Sequence, residues 1–209
     1  PPPSNVILKV IFASILDGHL KNFEFSIQSL SKAAVDASVD VYERLIAEML
    51  PTPAKSHYTY NLRDLAKVFQ GMLAITPVNC HDKLTFINLW IHESQRVFQD
   101  RLINTEDKDF FDALLQEMLK RVFGTSVPAG TFSSQRPIFC HFGNQSYAAH
   151  EAPYAQVPDI SRLPRLLDSY LDSYNMSTSK VMNLVFFQDA IEHVSRICRI
   201  LRTPSGNAM

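Results

Sequence analysis

Apolar residues recur along most of this chain at three- and four-residue steps, the spacing of amphipathic helices. From Ser4 to about Leu20, Val6, Ile7, Val10, Ile11 and Leu16 predict a buried helix with Ser4 as its cap and Asp17-Gly18 as its breaker. A longer helix is predicted from about Ser26 to Met49, with Ile27, Leu30, Ala34, Val41, Leu45 and Met49 on one face and Arg44 and Glu48 as an exposed i,i+4 pair. Neither stripe sustains the heptads of a coiled coil, so both read as packing surfaces of a compact bundle. Pro51 and Pro53 hold the next residues out of a helix. A short helix restarts at Asn61, with Leu62, Leu65, Phe69, Met72 and Leu73 on one face, Arg63, Lys67 and Gln70 on the other, and Gly71 near its end. After a loop at Thr76-Pro77, a helix from about Asp82 to Leu102 carries Leu84, Ile87, Ile91, Phe98 and Leu102 on a stripe with Trp90, opposite a solvated face. Glu106 to Phe123 predicts another, with Phe111, Leu115, Met118 and Val122 aligned and acids in its first turn.

The pattern then stops. Gly124 to Gln135 turns to Gly, Ser, Thr and Pro with no periodicity, which marks a module boundary. Arg136 to Phe142 is a short apolar run suited to a strand or an extended strap, and Asn144 to Pro158 is turn-rich loop. A helix is predicted from about Ser161 to Tyr174, with Pro164 tolerated in its first turn. The last runs from about Ser179 to Leu201, with Val181, Leu184, Phe187, Ile191, Val194, Cys198 and Leu201 on one side and Asp189, Glu192, Arg196 and Arg199 on the other. The expected class is therefore all-α, broken by one strap or strand.

Composition narrows the function classes. A formal net charge of -1 leaves no global field for nucleic acid or an acidic membrane, and Arg196, Arg199 and Arg202 are too few to make a binding stripe. No apolar run approaches the length of a transmembrane helix. Cys80, Cys140 and Cys198 are widely spaced and odd in number, which suggests reduced thiols in a cytoplasmic setting. His92-Glu93 invites a zinc reading, but position 96 is Arg96, not the second histidine the motif needs. No G-x-x-x-x-G-K-[ST] loop is present, nor an apolar strand ending in paired acids, so neither a triphosphate cradle nor a magnesium site is expected. No residue is assigned a catalytic role and none a metal. The opening Pro-Pro-Pro matches no signal or transit peptide, and the chain reads as an excerpt from something longer.

The stretch from Ser56 to Gly71 carries the most specific chemistry. Asn61 supplies a cap for the first free amides of its helix, and Asp64 stands where a reciprocal partner belongs. Arg63 puts a cation in the first turn, against the helix dipole. It pairs with Asp64 or a neighbouring acid, or it joins the free amides in seating a phosphate; the residues leave both open.

The block Leu50-Pro-Thr-Pro-Ala-Lys-Ser-His-Tyr-Thr-Tyr-Asn-Leu-Arg-Asp-Leu-Ala-Lys-Val-Phe-Gln-Gly-Met-Leu73 resembles axonemal (ciliary) dynein heavy chains, at the helical lid of the third AAA+ module of the motor ring. Leu89-Trp-Ile-His-Glu93 with Arg96-Val-Phe-Gln-Asp-Arg-Leu102 strengthens that resemblance as another lid helix. Pro137-Ile-Phe-Cys-His-Phe142, Leu171-Asp-Ser-Tyr-Asn175 and Met182 to Ile197 resemble the approach to the fourth module, and Arg202 to Met209 resembles the lead into its phosphate loop. The resemblance implies a AAA+ small-subdomain bundle at 1–126, a linker at 127–136, and the N-terminal part of the fourth module at 137–209. It implies that Arg63 is the sensor II-like residue that reaches nucleotide phosphates. It also implies a parent that is an ATPase motor using ATP/ADP with Mg, with nothing tightly bound to this segment alone. The implied partners are the large subdomains of the same ring and, through the rest of the parent, microtubules and dynein light and intermediate chains; the implied location is the cytoplasmic cytoskeleton of the ciliary axoneme. Two other readings stand beside it: a freestanding helical adaptor, and a hydrolase built on His57 or His141. Cys140 and His141 are adjacent on a strand and so face opposite ways, a poor nucleophile and base.

Overall fold

Helix α1 (Asn5–Leu20) is buried through Leu8, Phe12, Leu16 and Leu20, a ridge stepped by four. The computed structural model describes residues 3–132, 136–143, 152–204 and 206–207. Backbone packing divides them between two compact units, Pro1–Pro137 and Ile138–Met209.

In the first unit, α1 presents to the core the face opposite the one its periodicity predicts. Val6 is 71% exposed and Val10 61%, and Ile7, Ile11 and Ile15 are also exposed; of the predicted stripe only Leu16 is buried. The helix is apolar nearly all round, so sequence spacing alone could not choose the side. What chose it is a partner: the Phe12 ring stacks on Phe69 at 4.3 Å. Nor does Asp17-Gly18 break the helix: the chain continues helical to Leu20.

The predicted 26–49 helix is two: a single turn α2 (Phe25–Gln28) and α3 (Ser31–Glu48). Gln28 fixes the bend, its side-chain amide donating to the Phe23 carbonyl at 2.8 Å. The predicted stripe is nonetheless buried from Ile27 to Met49. Arg44 does not pair with Glu48. It forks onto Glu117 at 2.9 and 3.1 Å, bridging α3 to α6 (Thr105–Arg121).

Helix α4 (Leu62–Met72) buries Leu65, Val68, Phe69 and Met72 against α5 (Lys83–Val97) and α3, with Leu62 and Leu73 half-buried at its rim. Asp82 caps α5 by accepting from the Thr85 amide at 2.8 Å. A 3-10 turn (Gln99–Arg101), not α-helix, completes the stretch predicted to reach Leu102, and Leu84 is exposed. The expected solvated face of α5 is absent: His92, Glu93, Ser94 and Gln95 are as buried as Leu89, Trp90 and Ile91. Its polar side is covered by chain that follows α6, and His92 Nδ1 shares a hydrogen bond with the Pro137 carbonyl at 2.9 Å. Trp90 anchors the other side. Its indole N–H donates to Ser38 Oγ at 2.9 Å, and that hydroxyl donates to the Ala34 carbonyl at 2.7 Å, so no polar atom of the pair is buried unmet. Helix α6 has Glu106 and Asp107 in its first turn and ends at Arg121; just beyond it Gly124, at a φ of 64°, lets the Thr125 amide reach back to the Leu119 carbonyl.

In the second unit, β1 (Phe139–Cys140) pairs antiparallel with β2 (Ala155–Gln156), so the predicted strap is a short strand and part of the predicted 144–158 loop is its partner. Residues 144–151 of that loop lie outside the described residues. Ile138, Cys140 and Val157 pack with Leu163 and Leu167 of α7 (Leu163–Ser177) and Ile191 of α8 (Gln188–Arg202). Helix α8 begins well after the predicted Ser179. Residues 181–187 take no regular form, and Val181, Leu184 and Phe187 are exposed. This run is β-branched and aromatic, which suits extended chain better than helix. The Asn175 side chain also occupies both backbone groups of Met182, each at 2.9 Å. Only Ile191 and Ser195 of α8 are buried, and Leu201 is exposed.

Candidate functional site

Everything that defines the start of α4 converges on Arg63. Asn61 is extended, and its side-chain oxygen accepts from the Arg63 amide at 2.9 Å while Asp64 accepts from the Asn61 amide at 3.1 Å. The Asn61 carbonyl takes the amides of Asp64 and Leu65. The amides of Arg63, Asp64 and Leu65 are therefore taken by the cap, which corrects the reading of several free amides at this helix start and leaves the guanidinium as its main offer to an anion.

That guanidinium is exposed and, among the described residues, has no hydrogen-bond or ion-pair partner. Asp64, its expected neighbour in a pair, belongs instead to Arg101. Arg101 Nη2 lies 2.7 Å from Asp64 Oδ1 and Nη1 lies 3.3 Å from Oδ2, with the carboxylate side chain only 6% exposed. The same guanidinium sits over the Tyr60 ring at 5.1 Å and donates to the Thr59 carbonyl. Tyr42, Tyr60, Asn61, Leu62 and Arg63 line an open cleft of about 490 Å³. The Tyr60 hydroxyl is buried and has no hydrogen-bond partner among the described residues, and burial pushes its pKa up to about 12.

The loop that leads into α4 is pinned from behind. Lys55 lies 2.6 Å from Asp107, and the Tyr58 hydroxyl donates to Asp107 at 2.8 Å and accepts from the Ile103 amide at 3.0 Å. Burial works against the Asp107 carboxylate, but hydrogen bonds from Lys55 and Tyr58 outweigh it and hold its pKa below the usual range. A positioned helix start and one unpaired cation can do one thing chemically, which is to take an anion's charge from the side of the cleft.

The other candidates do not assemble. His57 shares a hydrogen bond with the Arg101 carbonyl at 2.9 Å, on the loop surface. Cys140 lies in the second unit's core, where burial pushes its thiol up to about 12, far from thiolate at neutral pH. His141 rests on the Tyr154 ring at 4.9 Å, its pKa lowered by burial and then by Arg202. Arg196 reaches Glu192 one turn earlier at 3.3 Å. Among the described residues no grouping of three His, Cys, Asp or Glu side chains could hold a metal, and no helix is long and apolar enough to cross a membrane. The cleft-lining Tyr42 and Tyr60 and the bridging Arg101 were missed by sequence reasoning. Their only signal was a cation, Arg101, at the end of a helix whose neighbours Phe98 and Leu102 are apolar.

Residues 34–127 match the AAA+ lid domain model, and residues 182–209 match that of the P-loop containing dynein motor region D4. Across its whole length the chain is 44% identical to dynein axonemal heavy chain 6 of Homo sapiens, covering 5% of that protein. It is 40% identical over 99% of its length to the ciliary dynein beta chain of Tripneustes gratilla, again 5% of that protein. A third relative, dynein axonemal heavy chain 1 of Mus musculus, is 40% identical over 88% of this chain and 4% of its own length. The chain belongs to the dynein heavy-chain family. In this dynein segment Arg63 and its cap lie inside the lid match.

Proposed function

We propose that this segment is a nucleotide-sensing lid and inter-module connector in the motor ring of an axonemal dynein heavy chain, with Arg63 as its sensor. On this reading residues 1–126 are the lid of the third AAA+ module, 127–136 a linker, and 137–209 the N-terminal part of the fourth. A lid match at 34–127 ahead of a D4 match at 182–209 supports that order. The parent is an ATP-driven microtubule motor of the ciliary axoneme, using ATP/ADP with Mg, and its light and intermediate chains attach elsewhere.

The observation that carries the reading is the unpaired Arg63 guanidinium at the mouth of the cleft. The residues fit a phosphate there as a single cationic contact, with the amides of Arg63, Asp64 and Leu65 already taken by the cap. ATP supplies the hydrolysable phosphate; this chain's part is to take charge on Arg63 and to tilt as a rigid bundle when that contact forms or breaks. The exposed aliphatic face of α1 suits burial against a large subdomain of the same ring. A freestanding adaptor is disfavoured, since the matches lie within heavy chains of which this chain spans about 5%.

Arg63→Ala in the full-length motor tests the proposal. A lid that folds but responds weakly to nucleotide is expected, with slower ATP-induced microtubule release and lower gliding velocity. Unchanged release and velocity would overturn it.

A further inference from the structure

We infer that Arg101 is a positioning residue for nucleotide sensing, acting by neutralising Asp64 so that Arg63 presents an uncompensated positive charge to phosphate. The inference rests on the reading of Arg63 just given and names the residue that sets the charge of that site.

Arg63 and Asp64 stand side by side in the first turn of α4, and Arg101 reaches Asp64 from beyond α5. Asp64 cannot leave: its carboxylate closes the capping box by accepting from the Asn61 amide at 3.1 Å, and the side chain is 6% exposed. An anion held one residue from Arg63 would cancel the attraction that a phosphate feels on entering the cleft. Arg101 removes that cancellation. It contacts both Asp64 oxygens, at 2.7 and 3.3 Å, and its remaining reach is committed to the Thr59 carbonyl and the Tyr60 face. With Arg101 the cluster carries one net positive charge, which resides on Arg63; without it the cluster is neutral. The geometry therefore gives Arg101 an electrostatic task distinct from contacting phosphate. Its Nη1 and Nη2 are engaged by Asp64 and Thr59.

Full-length heavy chain carrying Arg101→Ala, Arg101→Lys, Asp64→Asn with Arg101→Ala, or Arg63→Ala distinguishes the cases, with the probe being the MgATP concentration for half-maximal microtubule release. Arg101→Ala should raise that concentration about tenfold at low salt, and Arg101→Lys, which keeps the charge, should stay near wild type. Adding Asp64→Asn should restore the value, because the amide oxygen still caps Asn61 while the uncompensated anion is gone. The gap between Arg101→Ala and wild type should also narrow as salt is raised, which a loss of packing would not do. A wild-type value for Arg101→Ala, a double variant as weak as the single, or a gap insensitive to salt would each overturn the inference. If Arg63→Ala itself behaves as wild type, the failure belongs to the sensing proposal instead.

Discussion

Asn61 does two jobs with one side chain and one carbonyl. Its Oδ1 takes the Arg63 amide and its backbone oxygen takes those of Asp64 and Leu65, so the conformation that starts α4 also sets where Arg63 leaves the backbone. Asn61→Ala should lower the stability of the first unit by about 1 kcal/mol, the usual worth of a lost cap, whereas Asn61→Asp, which keeps the acceptor, should be close to neutral. Urea unfolding followed by Trp90 fluorescence measures both, since Trp90 is the chain's single tryptophan and is fully buried in that unit. A midpoint for the alanine variant equal to wild type would show that the cap seen here carries no free energy. The cap and its partner were legible in the sequence because S/T/D/N followed by an acid is a local rule. The partner of Asp64 was not, since Arg101 lies 37 residues away and nothing local links the two.

Elements show the same division between local and distant causes. Stripes on α3, α4 and α6 could be read directly, since each helix has a polar side that leaves one face to bury. Helix α1 has almost none, and its buried ridge was settled by a ring stack with a residue 57 positions on, Phe12 on Phe69. Helix α5 failed in the opposite sense, its polar residues being covered by chain that arrives only after α6. Helix α8 started late because a side chain in α7, Asn175, holds Met182 outside any helix. The face assignment of α1 gives a direct comparison. Phe12→Ala should cost about 3–5 kcal/mol, as a large-to-small core change does, while Val10→Ala should stay within about 0.5 kcal/mol in the segment. Equal losses measured by denaturant unfolding would show that α1 buries the side its periodicity first suggested.

At the scale of the whole chain the two units carry titrations of the same sign in different pH windows. In the first, Asp107 is held below its ordinary pKa, so its contribution is complete above the unfolded carboxylate value and is lost only as pH falls through the lower folded one. In the second, His141 is lowered by burial and by Arg202, so folding favours its neutral form. The unfolded chain then takes up a proton near pH 6.5 that the folded unit refuses. Stability from His141 is thus full above that pH and declines as pH falls toward the folded value, before Asp107 is protonated. Lowering pH from about 7.5 to about 5.5 should shift the helical circular-dichroism transition of the second unit to lower urea. His141→Phe, which keeps a ring against Tyr154 but removes the proton site, should flatten that shift. Trp90 fluorescence, which reports the first unit, separates the two transitions. A His141→Phe protein whose second-unit midpoint still falls with acid as steeply as wild type would show that the buried imidazole is not what couples this unit to pH.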